Sequence, residues 1–457
     1  MVAKRFKKLF YFALFFTVIS LVLVSCGEKP KQKPQSQPKE NSNVSVNIPA
    51  YLTDSYKTLV KEGIKVTYNP IVTKPIPQPK KPYYVKPREI PKEWIVGELK
   101  WESADISFYG NYVLECVPKA GYKPLPSTNA NWRKTILKLY KRKNVTEKWP
   151  YYLSKSDYSL IKVLDGEADN EPYPQNQGQR LSDKFVVWQS SSDAETNKWK
   201  IWGYDISRDK VFMICSYKDF KTSKDAYPTY KIRGNLLLIS LVTEDAEGKL
   251  GRTVIVYDLK DQKTLKTFGN EQYIYMFPTA VGNYIYLNKS VRYDPANNSV
   301  PPTSVVRIDM KSGKEDIVIP NSRLFVASSF GDKVCLVSID PNYKYNDVWV
   351  LDTSEKELTC YMKIPINDTD TKPGISLMRT GILYAGGQPD ETPYYFYSFS
   401  KGKAFYTGMP LTPPDSQGRF LIMKYPLNMF YPIPPFNYEG KAERLSGHVT
   451  YLIVKPN

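Results

Sequence analysis

Between residues 94 and 457 the chain repeats a two-part pattern, and that repetition limits its fold more than any other feature. The first part is a turn followed by an apolar run: GNYVLECV, DKFVVWQSS, GNLLLISLV, GNYIYLNKS, DKVCLVSID, GILYAGG and GRFLIMKY. Its turn residues are Gly110, Asp183, Gly234, Gly282, Asp332, Gly381 and Gly418. The second part is another strand-like run: TILKLYK, KIWGYDIS, TVIVYDLK, SVVRIDMK, DVWVLDTS, YYFYSFSK and VTYLIVK. Five of these close on Asp205, Asp258, Asp309, Asp352 and Ser398, in steps of 53, 51, 43 and 46 residues. Short β-branched and aromatic runs bounded by Gly, Asn, Asp and Lys predict strands, and no long 3.6-residue period competes with them. The domain is therefore all-β, and a step of about 40–50 residues holding four strands is that of a propeller blade.

Seven such pairs predict a seven-bladed β-propeller, with the first run as second strand and the second run as third strand of each blade. The closing Asp or Ser is expected to accept backbone N–H groups in a tight turn, a structural duty. The first, innermost strands are then ADISFYG, QNQGQRLS, YPTYKIRG, MFPTAVG, LFVASSFG, GISLMRTG and PPDSQG. The chain ends at VTYLIVKPN with no fourth strand for the last blade, while EWIVGELKW near Trp94 has no blade of its own. The N-terminal strand is thus expected to complete the last blade and close the ring, removing exposed sheet edges. The clearest repeat (FVVW at 185–188, IWGYD at 201–205, KVF at 210–212) loosely resembles the propeller strands of TolB-like and WD-repeat-like proteins. That resemblance implies architecture and an interaction role and carries no functional residues. Paired β-sandwiches are the alternative all-β arrangement.

The N-terminus has a separate logic. Lys4, Arg5, Lys7 and Lys8 precede an apolar stretch of sixteen residues, Leu9 to Val24, and then Ser25-Cys26-Gly27. This is the layout of a secretory signal, and it is short for a membrane span, which needs about 20 residues. Leu23, Ser25 and Cys26 together resemble the lipobox of bacterial lipoproteins. The resemblance implies removal of residues 1–26 as a signal peptide and lipidation of Cys26 with two or three palmitate-class acyl chains. It also implies anchorage at the extracytoplasmic face of the cell membrane. A single chain gives only reversible attachment, whereas two or three hold firmly.

Residues 27–92 read as a tether. The run EKPKQKPQSQPKENSN lacks apolar surface to offset the entropy of ordering, and residues 51–63 predict one short helix. Seven prolines between Pro70 and Pro91 predict an extended, polyproline-like path. The propeller then occupies 93–457. Formal net charge is +18, and residues 27–100 alone hold fourteen Lys/Arg against seven Asp/Glu. Basic character is thus dense near the expected membrane, where anionic headgroups or wall polymers attract it. No nucleic-acid motif accompanies the charge, so nucleic acid is not the expected partner.

Few residues suggest chemistry. The single histidine, His448, removes nearly every Ser-His-Asp, Cys-His or His-rich metal scheme. Asp105 and Asp415 are the only carboxylates near the expected inner strands, a poor basis for the carboxyl pair of a glycosidase. Asp165, Glu167, Asp169 and Glu171 alternate around Gly166, a weak calcium candidate without the full EF-hand spacing; a solvated acidic loop is the competing reading. Cys116, Cys215, Cys335 and Cys360 lie in apolar runs as core thiols, with Cys335–Cys360 the pair closest to a bridge.

The aromatic loop PLNMFYPIPPFNYEG offers Tyr431, Phe436 and Tyr438 for stacking on sugar or capturing a protein. Arg180, Lys231, Arg323 and Arg379 lie near expected inner strands, where an acidic ligand could meet them. The expected role is a binding or scaffolding module for envelope or extracellular polymer, or for protein partners. The alternatives are a carbohydrate-active enzyme, either a glycosidase or a lyase with a Lys, Arg or Tyr base, and a sensor or assembly lipoprotein.

Overall fold

The computed structural model describes residues 48–73, 94–102, 106–119, 135–145, 152–165, 175–191, 198–220, 227–244, 250–270, 272–292, 303–338, 344–365, 374–385, 394–406, 419–423 and 449–455. The first described elements are α1 (Thr53–Lys61), β1 (Lys65–Val72) and β2 (Ile95–Trp101). Blade 1 follows with β3 (Ile106–Tyr109), β4 (Tyr112–Pro118), β5 (Thr135–Arg142) and, after the short β6 (Tyr152–Ser154), β7 (Tyr158–Leu164). Blade 2 is β8 (Gln175–Leu181), β9 (Phe185–Ser191), β10 (Trp199–Asp205) and β11 (Lys210–Ser216). Blade 3 is β12 (Thr229–Arg233), β13 (Leu236–Glu244), β14 (Leu250–Asp258) and β15 (Lys263–Phe268). Blade 4 is β16 (Tyr273–Val281), β17 (Tyr284–Val291), β18 (Thr303–Asp309) and β19 (Glu315–Ser322). Blade 5 is β20 (Leu324–Phe330), β21 (Lys333–Ser338), β22 (Tyr345–Asp352) and β23 (Glu357–Pro365). Blade 6 is β24 (Gly374–Leu377), β25 (Gly381–Ala385), β26 (Tyr394–Ser398) and β27 (Lys403–Tyr406). The protein is a seven-bladed β-propeller.

The last blade joins the two ends of the chain. Its order is β28 (Phe420–Met423), β29 (Val449–Lys455), β2 and β6. β2 pairs antiparallel with β29 from Ile95↔Lys455 to Trp101↔Val449, which is the expected closure. The strand positions are displaced by one from those the repeats imply. The run around Phe420 takes the first place and VTYLIVK the second, so the N-terminal strand becomes third. The fourth place is filled by β6, which pairs parallel with β2. PPDSQG, expected as the first strand, lies outside the described residues.

The Asp turns form as expected. The Asp205 carboxylate accepts the backbone N–H groups of Ser207 and Arg208 at 2.9 and 3.1 Å. Asp258, Asp309 and Asp352 do the same for the residues two and three further on. Ser398 Oγ accepts from the Lys401 N–H at 3.4 Å.

The core is a ring of seams rather than a centre. Seven apolar clusters each join two neighbouring blades among the described residues. β9 shows why its sequence reads as a continuous apolar run. Val186 and Trp188 face the blade 1 seam, while Phe185 and Val187 face the blade 3 seam. Successive side chains on a strand point to opposite faces, and here both faces are covered. Trp94 and Val454 pack with Met378, Leu383 and Phe396 of blade 6, and Leu99, Trp101, Leu421 and Ile453 pack with Ile106, Phe108 and Val113 of blade 1. Those two seams seal the ring.

The cysteines serve packing. Cys215, Cys335 and Cys360 are buried thiols, and Cys116 is a half-buried one. Cys335 faces the seam with blade 6 and Cys360 the seam with blade 4. The pair nearest a bridge by sequence is therefore separated by its own sheet.

Residues 48–73, inside the stretch expected to be a tether, fold onto the ring. α1 falls within the predicted 51–63 helix. β1 adds to blade 5 as a fifth strand, parallel to β23. Tyr51, Leu52, Leu59 and Ile64 are buried in the seam between blades 4 and 5. Tyr51 Oη donates to Asp347 Oδ2 at 2.5 Å, Tyr68 Oη donates to the same oxygen at 3.1 Å, and Trp349 Nε1 donates to Tyr51 Oη at 2.9 Å. A buried carboxylate needs such donors.

Close packing at one hairpin gives a test. A Cβ on Gly381 would overlap the Tyr397 carbonyl oxygen and the Phe396 ring, whereas one on Gly282, at φ +55°, would meet nothing within 4 Å. Gly381→Ala should therefore lower the unfolding free energy by about 3 kcal/mol through overpacking. Gly282→Ala should lower it by about 1 kcal/mol through left-handed backbone strain. Urea denaturation of both variants checks the order, and the reverse order would contradict this packing.

Candidate functional site

Propeller ring closure leaves the first strands facing the central channel. Of the seven, β3, β8, β12, β16, β20, β24 and β28, none carries a carboxylate among its described residues, while β8 and β12 carry Arg180, Lys231 and Arg233. The first strands run in the same sense from blade to blade. Arg180 and Arg233, near the ends of their strands, and Arg379, in the turn after β24, therefore belong to one end of the ring. Arg323, before β20, and Arg419, before β28, belong to the other. The structure thus brings Arg180 and Lys231 together, adds Arg233, and separates Arg323 from them.

Lys231 reaches across the channel. Its Nζ donates to the Ala327 carbonyl on β20 at 2.5 Å, two blades away. That carbonyl is available because the β20–β21 ladder breaks between Val326 and Ser328. β8 breaks between Gln177 and Arg180, and β16 between Met276 and Thr279. Such bulges re-aim side chains and recur beside functional sites.

The Arg180 guanidinium lies 5.8 Å over the Tyr230 ring. The Arg233 Nε is buried without a hydrogen-bond partner among the described residues. Burial, reinforced by Arg233 and Arg180, pushes the Lys231 ammonium down to about 8. Burial also lowers Arg233, with Tyr109 opposing. All three side chains keep some contact with solvent through the channel, with Arg180 the most exposed. Lys231 and Arg233, desolvated and facing the exposed Arg180 with no carboxylate among the described residues of the first strands, form a site for an anion; Asp105 and Asp415 lie outside the described residues.

A second basic group sits toward the other end. Arg252 on β14 lies 5.7 Å over the Phe277 ring, and Phe277 meets Phe325 edge-on at 5.9 Å. Sequence reasoning missed Arg233, Arg252, Phe277 and Phe325. Arg233 was findable, because it stands two residues after Lys231 and so shares its face of the strand.

The remaining candidates fare differently. Asp165 accepts a hydrogen bond from Lys119 Nζ at 2.5 Å; Glu167, Asp169 and Glu171 lie outside the described residues. No group of three or more His, Cys, Asp or Glu side chains placed to hold a metal occurs among the described residues. Cys26, Tyr431, Phe436, Tyr438 and His448 also lie outside them. No described helix is long and apolar enough to cross a membrane.

No protein-family model and no curated protein matches the chain. Among solved structures it is similar to the β-propeller domain of the Trilobed protease from Pyrococcus furiosus, with a TM-score of 0.43 and 12% identity over 72% of this chain and 92% of that one. It is similar to Pyrococcus horikoshii acylaminoacyl peptidase, with a TM-score of 0.43 and 12% identity over 71% of this chain and 49% of that one, about half its length. It is also similar to an oligogalacturonate lyase from Vibrio parahaemolyticus, with a TM-score of 0.38 and 9% identity over 69% of this chain and 79% of that one. The propeller assignment rests on the seven sheets and their seams.

The depressed Lys231 ammonium has a consequence for stability. An unfolded chain keeps this lysine protonated up to about its ordinary value of 10.5, whereas the folded one releases the proton near 8. Between those values the unfolded state binds more protons, so stability from this group rises with pH. Lys231→Met should flatten that rise. Chemical denaturation from pH 7 to 10.5 measures it, and equal slopes in both proteins would refute the buried, uncompensated charge.

Proposed function

We propose that the protein is a recognition module of the cell envelope, a propeller on a lipid tether at Cys26 that holds an acidic polymer in its channel. One observation carries the reading: Arg180, Lys231 and Arg233 converge on the channel with no carboxylate on any described first strand. A polymer bearing carboxylates would supply the missing charge and receive charge-assisted hydrogen bonds, the planar arginines pairing with carboxylates bidentately. The signal-like N-terminus and Cys26 support a location where such polymers are met. Sensor and assembly roles for the same lipoprotein would use this surface to receive the acidic segment of a protein partner.

A second reading, an acidic-polysaccharide lyase, is favoured by one specific feature. An amine pushed down to about 8 is poised as a general base near neutral pH. Lys231 as the free amine would take the proton from the carbon beside a uronate carboxylate while Arg180 and Arg233 hold the developing negative charge; the C–O bond at the next carbon then breaks, leaving a C=C bond, and the departing sugar oxygen takes a proton from water.

The discriminating experiment titrates the purified full-length protein with acidic and neutral polysaccharides and follows unsaturated ends by ultraviolet absorbance. The recognition reading expects binding of acidic polymer only, weakening as salt rises and as pH rises above about 8, where Lys231 loses its proton. Arg180→Gln and Arg233→Gln should each weaken binding about 10-fold, the effect of roughly 1.4 kcal/mol. Accumulating unsaturated product, lost in Lys231→Met, would favour the lyase. Equal binding of neutral polymers would overturn both.

A further inference from the structure

The end of the ring opposite Arg180 and Arg233 carries a cation of its own, Arg252. Arg233 pairs with Leu236 on β13, whereas Arg252 pairs with Val242, six residues further along that strand. At about 3.4 Å per residue the two levels are roughly 20 Å apart. Arg252 belongs to a different place, at the junction of blades 3 and 4.

We propose that Arg252, Phe277 and Phe325 form a second ligand site, which takes a carboxylate borne on a ring with an apolar face. Among the described residues the Arg252 guanidinium has no hydrogen bond or ion pair; its contact is the face of Phe277. The side chain is half-buried, and its five N–H donors reach solvent, where a ligand can meet them. Burial alone lowers its proton affinity. Packing on a ring leaves the in-plane donors available, and a carboxylate accepts two of them side by side.

Phe277 supplies the second, independent observation. It sits at φ +56° in the bulge of β16, a left-handed backbone that bulky side chains rarely adopt. Strain of this kind persists where surrounding structure imposes it, and it concentrates at ligand sites. Here it accompanies a ring placed between Arg252 and the edge-on Phe325. A cation beside a corner of two aromatic rings suits an anion with an apolar face, such as a sugar acid or an aromatic acid. Inorganic anions would leave the rings unused.

This site stands independently of the channel cluster, so it is tested with that cluster silenced. Full-length protein carrying Arg180→Gln, Lys231→Gln and Arg233→Gln is titrated with benzoate, a uronate monosaccharide, acetate and phosphate by calorimetry or ligand-observed NMR. At least one ring carboxylate should bind 10-fold or more tightly than acetate or phosphate. Arg252→Gln and Phe277→Gly should each reduce that binding at least 10-fold. Glycine suits φ +56°, so Phe277→Gly removes the ring without adding backbone strain; Phe325→Leu replaces it should thermal melting show loss of fold. Preference for benzoate identifies an aromatic acid as source, and preference for the uronate a sugar acid. The proposal is overturned by equal affinity for acetate and ring carboxylates, by no binding, or by binding that survives both the Arg252 and the ring substitutions.

Discussion

The structure depends on covering both faces of every blade at once. A propeller sheet has no inside of its own, and its two faces are buried only by the blades on either side. The described seams take their residues from neighbouring blades in turn, and the seams on either side of blade 7 draw on both ends of the chain. Trp101 and Phe396 are fully buried in the two seams that the β2–β29 pairing holds together. Each large apolar side chain covered in this way contributes about 1.5–3 kcal/mol, so opening that pairing exposes two seams together. Closure therefore acts on the ring as a unit, and the channel geometry inherits its precision from it.

Most of this architecture was legible because blades repeat their chemistry. The Asp turns announce the third strand, the Gly or Asp turns announce the second, and the apolar runs between them match strands covered on both faces. What escaped is informative. The last blade was displaced by one position because β6 (only three residues, Tyr152–Ser154) lies between two strands of blade 1 in sequence and leaves no apolar run to read. The fold of residues 48–73 was hidden by composition. Lys, Thr and Pro in KVTYNPIV give no clean alternation, yet the strand needs only one edge of blade 5 to pair with, while Leu52 and Leu59 carry the packing.

The site was legible in kind but not in membership. Basic residues on first strands could be picked out once the strands were placed, which is how Arg180 and Lys231 were reached. Arg323 lies as near a first strand in sequence yet stands at the other end of the ring, because nearness to a strand in sequence does not say at which end of it a residue falls. Arg252 and Phe277 gave no signal at all. Their meeting depends on how blade 3 packs against blade 4 and on a bulge, both consequences of tertiary structure.

The position of the cations within the ring is itself an argument for specific recognition. The first strands of blades 4, 5 and 6 are stitched by neutral groups. Thr279 and Ser329 hydroxyls lie 2.6 Å apart, Ser328 Oγ accepts the Leu377 N–H at 2.9 Å, and the Asn288 side chain bonds the Leu324 carbonyl and the Val326 N–H. Blades 2 and 3 instead present Arg180, Lys231 and Arg233 to the channel, with Lys231 bonded only to a carbonyl two blades away. A ring held by pseudo-symmetric seams has no structural need for charge in its channel, and desolvating that charge opposes folding. Departures from the repeat that cost stability are expected where a ligand, rather than the fold, sets the residue. Such an arrangement fits a ligand that enters the channel with its negative groups at the level of Arg180, Lys231 and Arg233.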